Sequence, residues 1–325
     1  MKKFLKHSSL FIIPFLLLAI SSEFLLRQVP NPYKFKYEWM QENAEDVETL
    51  IFGSSHTFYG IRPKYFESKT FSLANVSQGL TQDFYFLEYW ADRYKNLNSI
   101  IVPISFFSLF SQDLEYGSES YRCRYYRIYM DCDLYPYFSL YNLEWSDYRT
   151  AKAKMESLYD SFTNKKEDWG CDEYGWGTAY PLSGKNMVDW NNGSEADAAV
   201  KRHTVKSWDY IEQNYAKMKE MAEFCKKRNI NMVLVTTPCW HSYYDNLPQE
   251  QLSKMYELTH KIQKEYNLPY FDYLKDKRFE ADDFYDSNHL SDVGAIKFTK
   301  ILNEDIHHLG AKSDNHKGMH LNGNH

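Results

Sequence analysis

The chain has 325 residues, 43% hydrophobic and 25% charged, which suffices for a sizeable core in one large domain or two small ones. Its formal net charge is −6 and it carries no long basic run, which argues against nucleic acid as a partner. Five cysteines (Cys123, Cys132, Cys171, Cys225, Cys239) show no CxxC or Cys/His metal spacing, so neither a disulfide scaffold nor a metal centre is expected.

Lys2, Lys3 and Lys6 precede an apolar run over residues 10–20, and after Ser21-Ser22-Glu23 the apolar character resumes at Phe24-Leu25-Leu26. A basic start before an apolar segment is the pattern of a secretory signal or a signal anchor. Ala19-Ile20-Ser21 is a tolerable cleavage site, whereas the stretch 10–26 is just long enough to span a bilayer. The anchor over residues 1–27 is the preferred expectation. Either way the lysines stay in the cytoplasm and the rest is exported, to the periplasm or cell surface. In that setting Cys123 and Cys132 could close a short loop. Residues 28–46 read as a linker.

From residue 47 short apolar runs alternate with helical spacing. Strands are expected at 47–52, 70–74, 99–104, 231–236 and 269–272, and helices at 83–94, 205–228, 250–266 and 291–308. Such alternation means a parallel, doubly wound α/β sheet, whose ligands bind at the carboxyl ends of the strands. Residues 112–204 break the pattern and are rich in Tyr, Trp, Asp and Gly, which reads as an insertion or lid. With 28 Tyr, 21 Phe and 8 Trp in the chain, it is where a sugar-stacking cleft would lie. The polar tail, residues 311–325, reads as disordered.

Two short motifs carry the chemistry. Gly53-Ser54-Ser55-His56 follows the first strand, and Asp286-Ser287-Asn288-His289 precedes the last helix. Alone, each has a bland explanation: a serine capping a helix, and a loop capping the helix that begins near Ser291. Together they supply a hydroxyl, an imidazole and a carboxylate on one edge of one sheet. A serine hydroxyl needs an adjacent base, and that base needs a third group to fix its tautomer. Ser55, nearer the helix N-terminus than Ser54, is the expected nucleophile, because its own N–H can help hold an oxyanion. His289 is the expected base and Asp286 its orienting carboxylate. His56 is the weaker base, since a sequence neighbour rarely turns its ring back on the preceding hydroxyl. His203 and Trp240 are candidate pocket residues, and His241 reads more simply as a surface residue.

The order Gly-x-Ser early and Asp-x-x-His late resembles the SGNH (GDSL-type) hydrolase superfamily over about residues 47–310. Ile51-Phe52-Gly53-Ser54-Ser55-His56-Thr57-Phe58-Tyr59-Gly60-Ile61-Arg62-Pro63 is similar to its membrane-anchored, bacterial cell-surface branch. His289-Leu290-Ser291-Asp292-Val293-Gly294-Ala295 is similar to the matching end of exopolysaccharide O-acetyltransferases, including alginate acetylation proteins. The resemblance implies a flavodoxin-like three-layer sandwich with Ser55, His289 and Asp286 as its triad. It also implies an oxyanion held by the amides of Ser55 and Gly79, with Ser77 of the segment Asn75-Val76-Ser77-Gln78-Gly79 as alternative. The family's third block, Gly-x-Asn-Asp, is absent. Pro103-Ile104-Ser105-Phe106-Phe107 stands there instead, with Ser105 as the one candidate substitute for the asparagine.

The implied activity is ester hydrolysis or O-acyl transfer on acyl esters, acetyl above all, of cell-envelope polysaccharide, without metal or cofactor. Transfer would need a multi-pass membrane acyltransferase to deliver the acyl group, because acetyl-CoA is cytoplasmic. The alternative, which the missing asparagine favours, is an inactive protein of the same fold that binds or assembles polysaccharide.

Overall fold

The computed structural model describes residues 2–164, 168–185 and 193–321. The chain divides into two compact units, Met1–Glu38 with Leu114–Gly170 and Trp39–Asp113 with Cys171–His325. The α-helices are α1 (Lys2–Leu26), α2 (Pro32–Asn43), α3 (Ser55–Gly60), α4 (Leu80–Tyr89), α5 (Cys123–Tyr129) and α6 (Tyr148–Asn164). They continue with α7 (Ser194–His203), α8 (Ile211–Arg228), α9 (His241–Tyr244), α10 (Gln249–Tyr266) and α11 (Asp292–Leu321).

The larger unit is α/β. Its strands β1 (Thr49–Ile51), β2 (Thr70–Ser72), β3 (Ser99–Pro103), β4 (Asn231–Thr236) and β5 (Tyr270–Asp272) form one all-parallel sheet in the order β2-β1-β3-β4-β5. All five fall within the runs read from hydrophobic patterning. The runs of β1, β3 and β4 are mostly apolar and buried, as in a parallel sheet covered on both faces, whereas the edge strand β5 is only partly buried. On one face Ile51, Ile101, Val233 and Val235 pack with Phe298 and Leu302 of α11. The opposite layer is α4, α8 and α10, of which α8 contacts both the others and buries Met218, Met221, Ala222 and Cys225. Helices α8 and α10 each end on an asparagine in the left-handed region, Asn229 (φ 56) and Asn267 (φ 55), a conformation that asparagine tolerates better than most residues. The order reverses direction between β1 and β3, and such a switch point opens a crevice at the strand ends.

Three expectations change. Residues 28–46 are not a plain linker, since α2 occupies 32–43. Asn31 caps it by accepting the Lys34 N–H (3.0 Å), and Pro32 fits the first helical position, where its missing N–H costs nothing. Residues 112–204 are not one insertion. Residues 114–170 pack with the N-terminal segment, whereas 171–185 and 193–203 belong to the sheet unit. The last helix runs to Leu321, past the expected end at 308, and residues 322–325 of the polar tail lie outside the described residues.

In the smaller unit, α1 is long and apolar enough to cross a membrane over Ser9–Leu26, and almost none of that stretch is buried. Its end is tied to the chain around residue 144. The Glu23 carboxylate accepts the N–H groups of Glu144 (3.0 Å) and Trp145 (3.3 Å) and pairs with Arg27 (2.8 Å). Cys123 and Cys132 are buried free thiols, so the short-loop disulfide does not form.

Candidate active site

The turn after β1 fixes the serine. Gly53 has φ +107, and a Cβ there would lie 2.1 Å from Pro103 Cγ, so only glycine fits. Its N–H donates to Asp83 Oδ1 (3.0 Å) and its carbonyl accepts the Asn75 N–H (3.1 Å). Thr57 Oγ1 donates back to the Phe52 carbonyl (2.7 Å). The chain thereby enters α3 with Ser55 as its first residue, in the turn whose N–H groups have no intrahelical acceptor. Ser54 is buried, and its hydroxyl has no partner among the described residues. Ser55 is the serine that faces the imidazole.

The second motif is a tight loop clasped by its own carboxylate. Asp286 Oδ1 accepts the N–H groups of His289 (2.8 Å) and Asn288 (3.0 Å), and the carboxylate takes the His289 Nδ1–H at 2.9 Å. That contact fixes the tautomer, leaving Nε2 free to accept the Ser55 hydroxyl at 2.8 Å. Burial pushes the Asp286 carboxyl up, but the adjacent His289 ring and the two amides outweigh it and hold it below the usual carboxylate range. The loop is pinned on three sides. Ser287 donates its N–H to Glu195 of α7 (2.8 Å), its carbonyl accepts the Trp240 N–H (2.9 Å), and Tyr285 and His289 are bonded across the turn (2.9 Å). Ser291 caps α11 by accepting the Gly294 N–H (3.2 Å), so the loop does cap the helix while also presenting the histidine.

The other candidates divide. His56 does not reach Ser55. Its Nε2 accepts from Asn288 Nδ2 (3.1 Å), so its Nδ1–H donates to Ser105 Oγ (3.0 Å), and burial with the neighbouring His289 keeps the ring neutral. Ser105 is thus tied to His56, and its amide donates to Ser108 Oγ (2.9 Å). His203 shares a 2.7 Å hydrogen bond with the Tyr243 hydroxyl and lies 5.7 Å from the His56 ring. Burial, then the Arg202 charge, lowers its pKa to about 3. Trp240 is half-buried against Phe284 in the core, and His241 begins α9, its ring against Trp240.

Gly79 departs from expectation. It caps α4, and its N–H donates to Gln82 Oε1 (3.0 Å), so this amide is already engaged. Ser77 sits in the left-handed region (φ 60).

Sequence reasoning missed Asn288, the link between His56 and the triad loop, and Tyr180. The Tyr180 ring is stacked between Tyr59 (4.0 Å) and Tyr285 (4.3 Å) and stands 5.1 Å from His289. Both faces are used, so it packs the triad loop rather than offering a platform to a sugar. Its only signal in sequence was the aromatic density of the 112–204 segment. Among the described residues no group of three or more His, Cys, Asp or Glu side chains is placed to hold a metal ion.

Behind the serine turn, burial raises the pKa of Asp83 to about 7, against the hydrogen bonds from Gln78 and Gly53. A carboxylate raised in the folded state binds its proton more tightly there than in the unfolded chain. Stability should therefore fall as pH rises from about 4 to about 7, by up to roughly 4 kcal/mol from this group alone. Asp83→Asn keeps an acceptor for Gly53 and removes the buried charge. The difference in thermal midpoint between pH 5 and pH 8 should shrink in the variant, and an unchanged difference would refute the assignment.

No protein-family model matches the chain, and no curated protein matches it.

Proposed function

We propose that the chain is an exported, membrane-tethered serine esterase or O-acyltransferase of the SGNH type. Its substrates would be acyl esters, acetyl first among them, of cell-envelope polysaccharide. The observation that carries this reading is the continuous relay from Ser55 Oγ through His289 to Asp286, with contacts of 2.8 and 2.9 Å. The β2-β1-β3-β4-β5 order supports a flavodoxin-like sandwich, and both halves of the relay follow strands or lie in loops of that sheet unit.

In this mechanism Ser55 Oγ attacks the acyl carbonyl as His289 Nε2 takes its proton. The Asp286 carboxylate stabilises the resulting imidazolium without being protonated. The Ser55 amide holds the developing oxyanion. His289 then returns the proton to the leaving alcohol, and water or a sugar hydroxyl resolves the acyl-enzyme; a multi-pass membrane acyltransferase would supply the acyl group where transfer is the outcome. The span Ser9–Leu26 supports retention as an anchor, with Lys2, Lys3 and Lys6 on the cytoplasmic side.

A second reading, an inactive polysaccharide-binding protein of this fold, is favoured by the engaged Gly79 amide and the absent third-block asparagine. One lost oxyanion donor costs on the order of 3–4 kcal/mol of transition-state stabilisation. A fluorophosphonate probe separates the two readings. Mass mapping should place the adduct on Ser55, and a chain that resists labelling, or is labelled elsewhere, belongs to the second reading.

A further inference from the structure

We infer that residues 134–143, together with Trp145, form a second membrane-contacting surface, seated in the headgroup–acyl boundary beside the point where α1 leaves the bilayer. The inference rests on the reading of α1 as a retained anchor. Residues 134–143, Leu-Tyr-Pro-Tyr-Phe-Ser-Leu-Tyr-Asn-Leu, contain no charged side chain. Tyr135 is buried, but most of the other apolar groups point outward: Phe138 is 96% exposed and Leu140 71%, with Tyr137, Leu143 and Trp145 exposed as well. A polar medium on all sides would make this an unusual patch for a monomer.

The position of the segment on α1 identifies what covers it. Trp145 Nε1 donates to Ser22 Oγ (2.9 Å), the Glu23 carboxylate takes the amides of residues 144 and 145, and Arg27 Nη2 donates to the Asn142 carbonyl (2.6 Å). Ser22 and Glu23 lie in the last turns of the apolar span Ser9–Leu26. At 1.5 Å rise per residue, Ser22 lies about 6 Å short of the end of that span, the depth at which Trp and Tyr gather in membrane proteins. The hydrogen bonds fix Trp145 at the same depth and place the neighbouring Phe138 and Leu140 alongside the leaflet. They also satisfy Ser22 and Glu23, polar groups that would otherwise be costly so close to hydrocarbon. A surface aimed at a soluble protein would have no reason to be bonded to this turn of α1.

The test is spin-label accessibility in the full chain, reconstituted into phosphatidylcholine/phosphatidylglycerol vesicles. Labels would be placed at Phe138→Cys and, as an internal reference, at Ile13→Cys, each in a Cys171→Ser background. Phe138 is exposed enough that the cysteine does not disturb folding. Both labels should relax faster with oxygen than with a water-soluble nickel chelate, position 13 strongly and position 138 to an intermediate degree. If position 13 favours oxygen but position 138 favours the chelate, the anchor stands and the second surface does not exist. If position 138 is shielded from both reagents, protein covers the patch and the inference is wrong. If position 13 itself favours the chelate, the anchor reading fails and this inference falls with it.

Discussion

Ser55→Ala is expected to lower kcat/KM for an activated acetyl ester by a factor on the order of 10⁴ or more, with the thermal midpoint almost unchanged. The size follows from the cooperation within the relay: without the hydroxyl, the imidazole and carboxylate have nothing to activate, and only residual oxyanion and binding effects survive. The fold is insulated because the Ser55 side chain is bonded to His289, whereas the serine turn itself is held by Gly53, Thr57 and Asp83. Asp286→Asn should cost about 10³–10⁴-fold in kcat, since the amide can hold the wrong histidine tautomer and cannot stabilise the imidazolium. The asparagine Oδ1 can still accept the two backbone amides that Asp286 takes, so the loop should hold, with its hydrogen bonds weakened by loss of the charge. Initial rates with purified wild type and both variants decide the matter. Equal, slow rates in all three would mean that the relay is not catalytic.

Gly294→Ala is the substitution expected to damage the fold most. At an ordinary helical position it would be favourable by about 1 kcal/mol, since alanine is the better helix former. Here the sign reverses. A Cβ at position 294 would lie 1.8 Å from the Asp283 carbonyl oxygen and 2.6 Å from its carbon, and both are backbone atoms that no rotamer change can move. The same carbonyl accepts the Ser291 N–H (2.9 Å), and the Asp283 side chain pairs with Lys297 (2.6 Å). Relief of the clash therefore has to pull α11 off the 281–283 turn and displace the loop that carries Asp286 and His289. A loss of about 3 kcal/mol or more is expected, in the range of severe overpacking, with activity falling alongside. Denaturant midpoints measure the first and ester turnover the second. A variant as stable as wild type would show that the 281–283 turn yields freely.

Much of this was legible in the sequence because it rests on period and chemistry. Five short, largely apolar runs gave five strands, since a parallel sheet covered on both faces shows no strict polar/apolar alternation in its strands. The joint occurrence of Gly-Ser-Ser and Asp-x-x-His named the three relay residues, and the helical register favoured Ser55 over Ser54. What was missed depends on contacts between distant segments. That Tyr180 belongs with Tyr59 and Tyr285, or that Glu195 pins Ser287, is invisible to periodicity. The division of residues 112–204 between the two units was equally hidden, because an aromatic-rich composition says neither which rings are buried nor against what. Gly79 fell to local chemistry: Gln82, three residues on, claims its amide, a capping arrangement that the sequence does contain.

The Ser55–His289 contact joins residues 234 positions apart, and this separation has a consequence for timing. Four of the five strands, β2 to β5, lie between the two partners in the chain, so the hydroxyl cannot meet the imidazole until β5 has paired and the loop that follows has closed. Contacts of such sequence separation form late, because they wait on the loop-closure entropy of everything enclosed. A chain emerging with its N-terminus first carries Ser55 without its histidine partner until nearly all of its residues are in place. Formation of the Ser55–His289 contact therefore reports completion of the whole sheet unit.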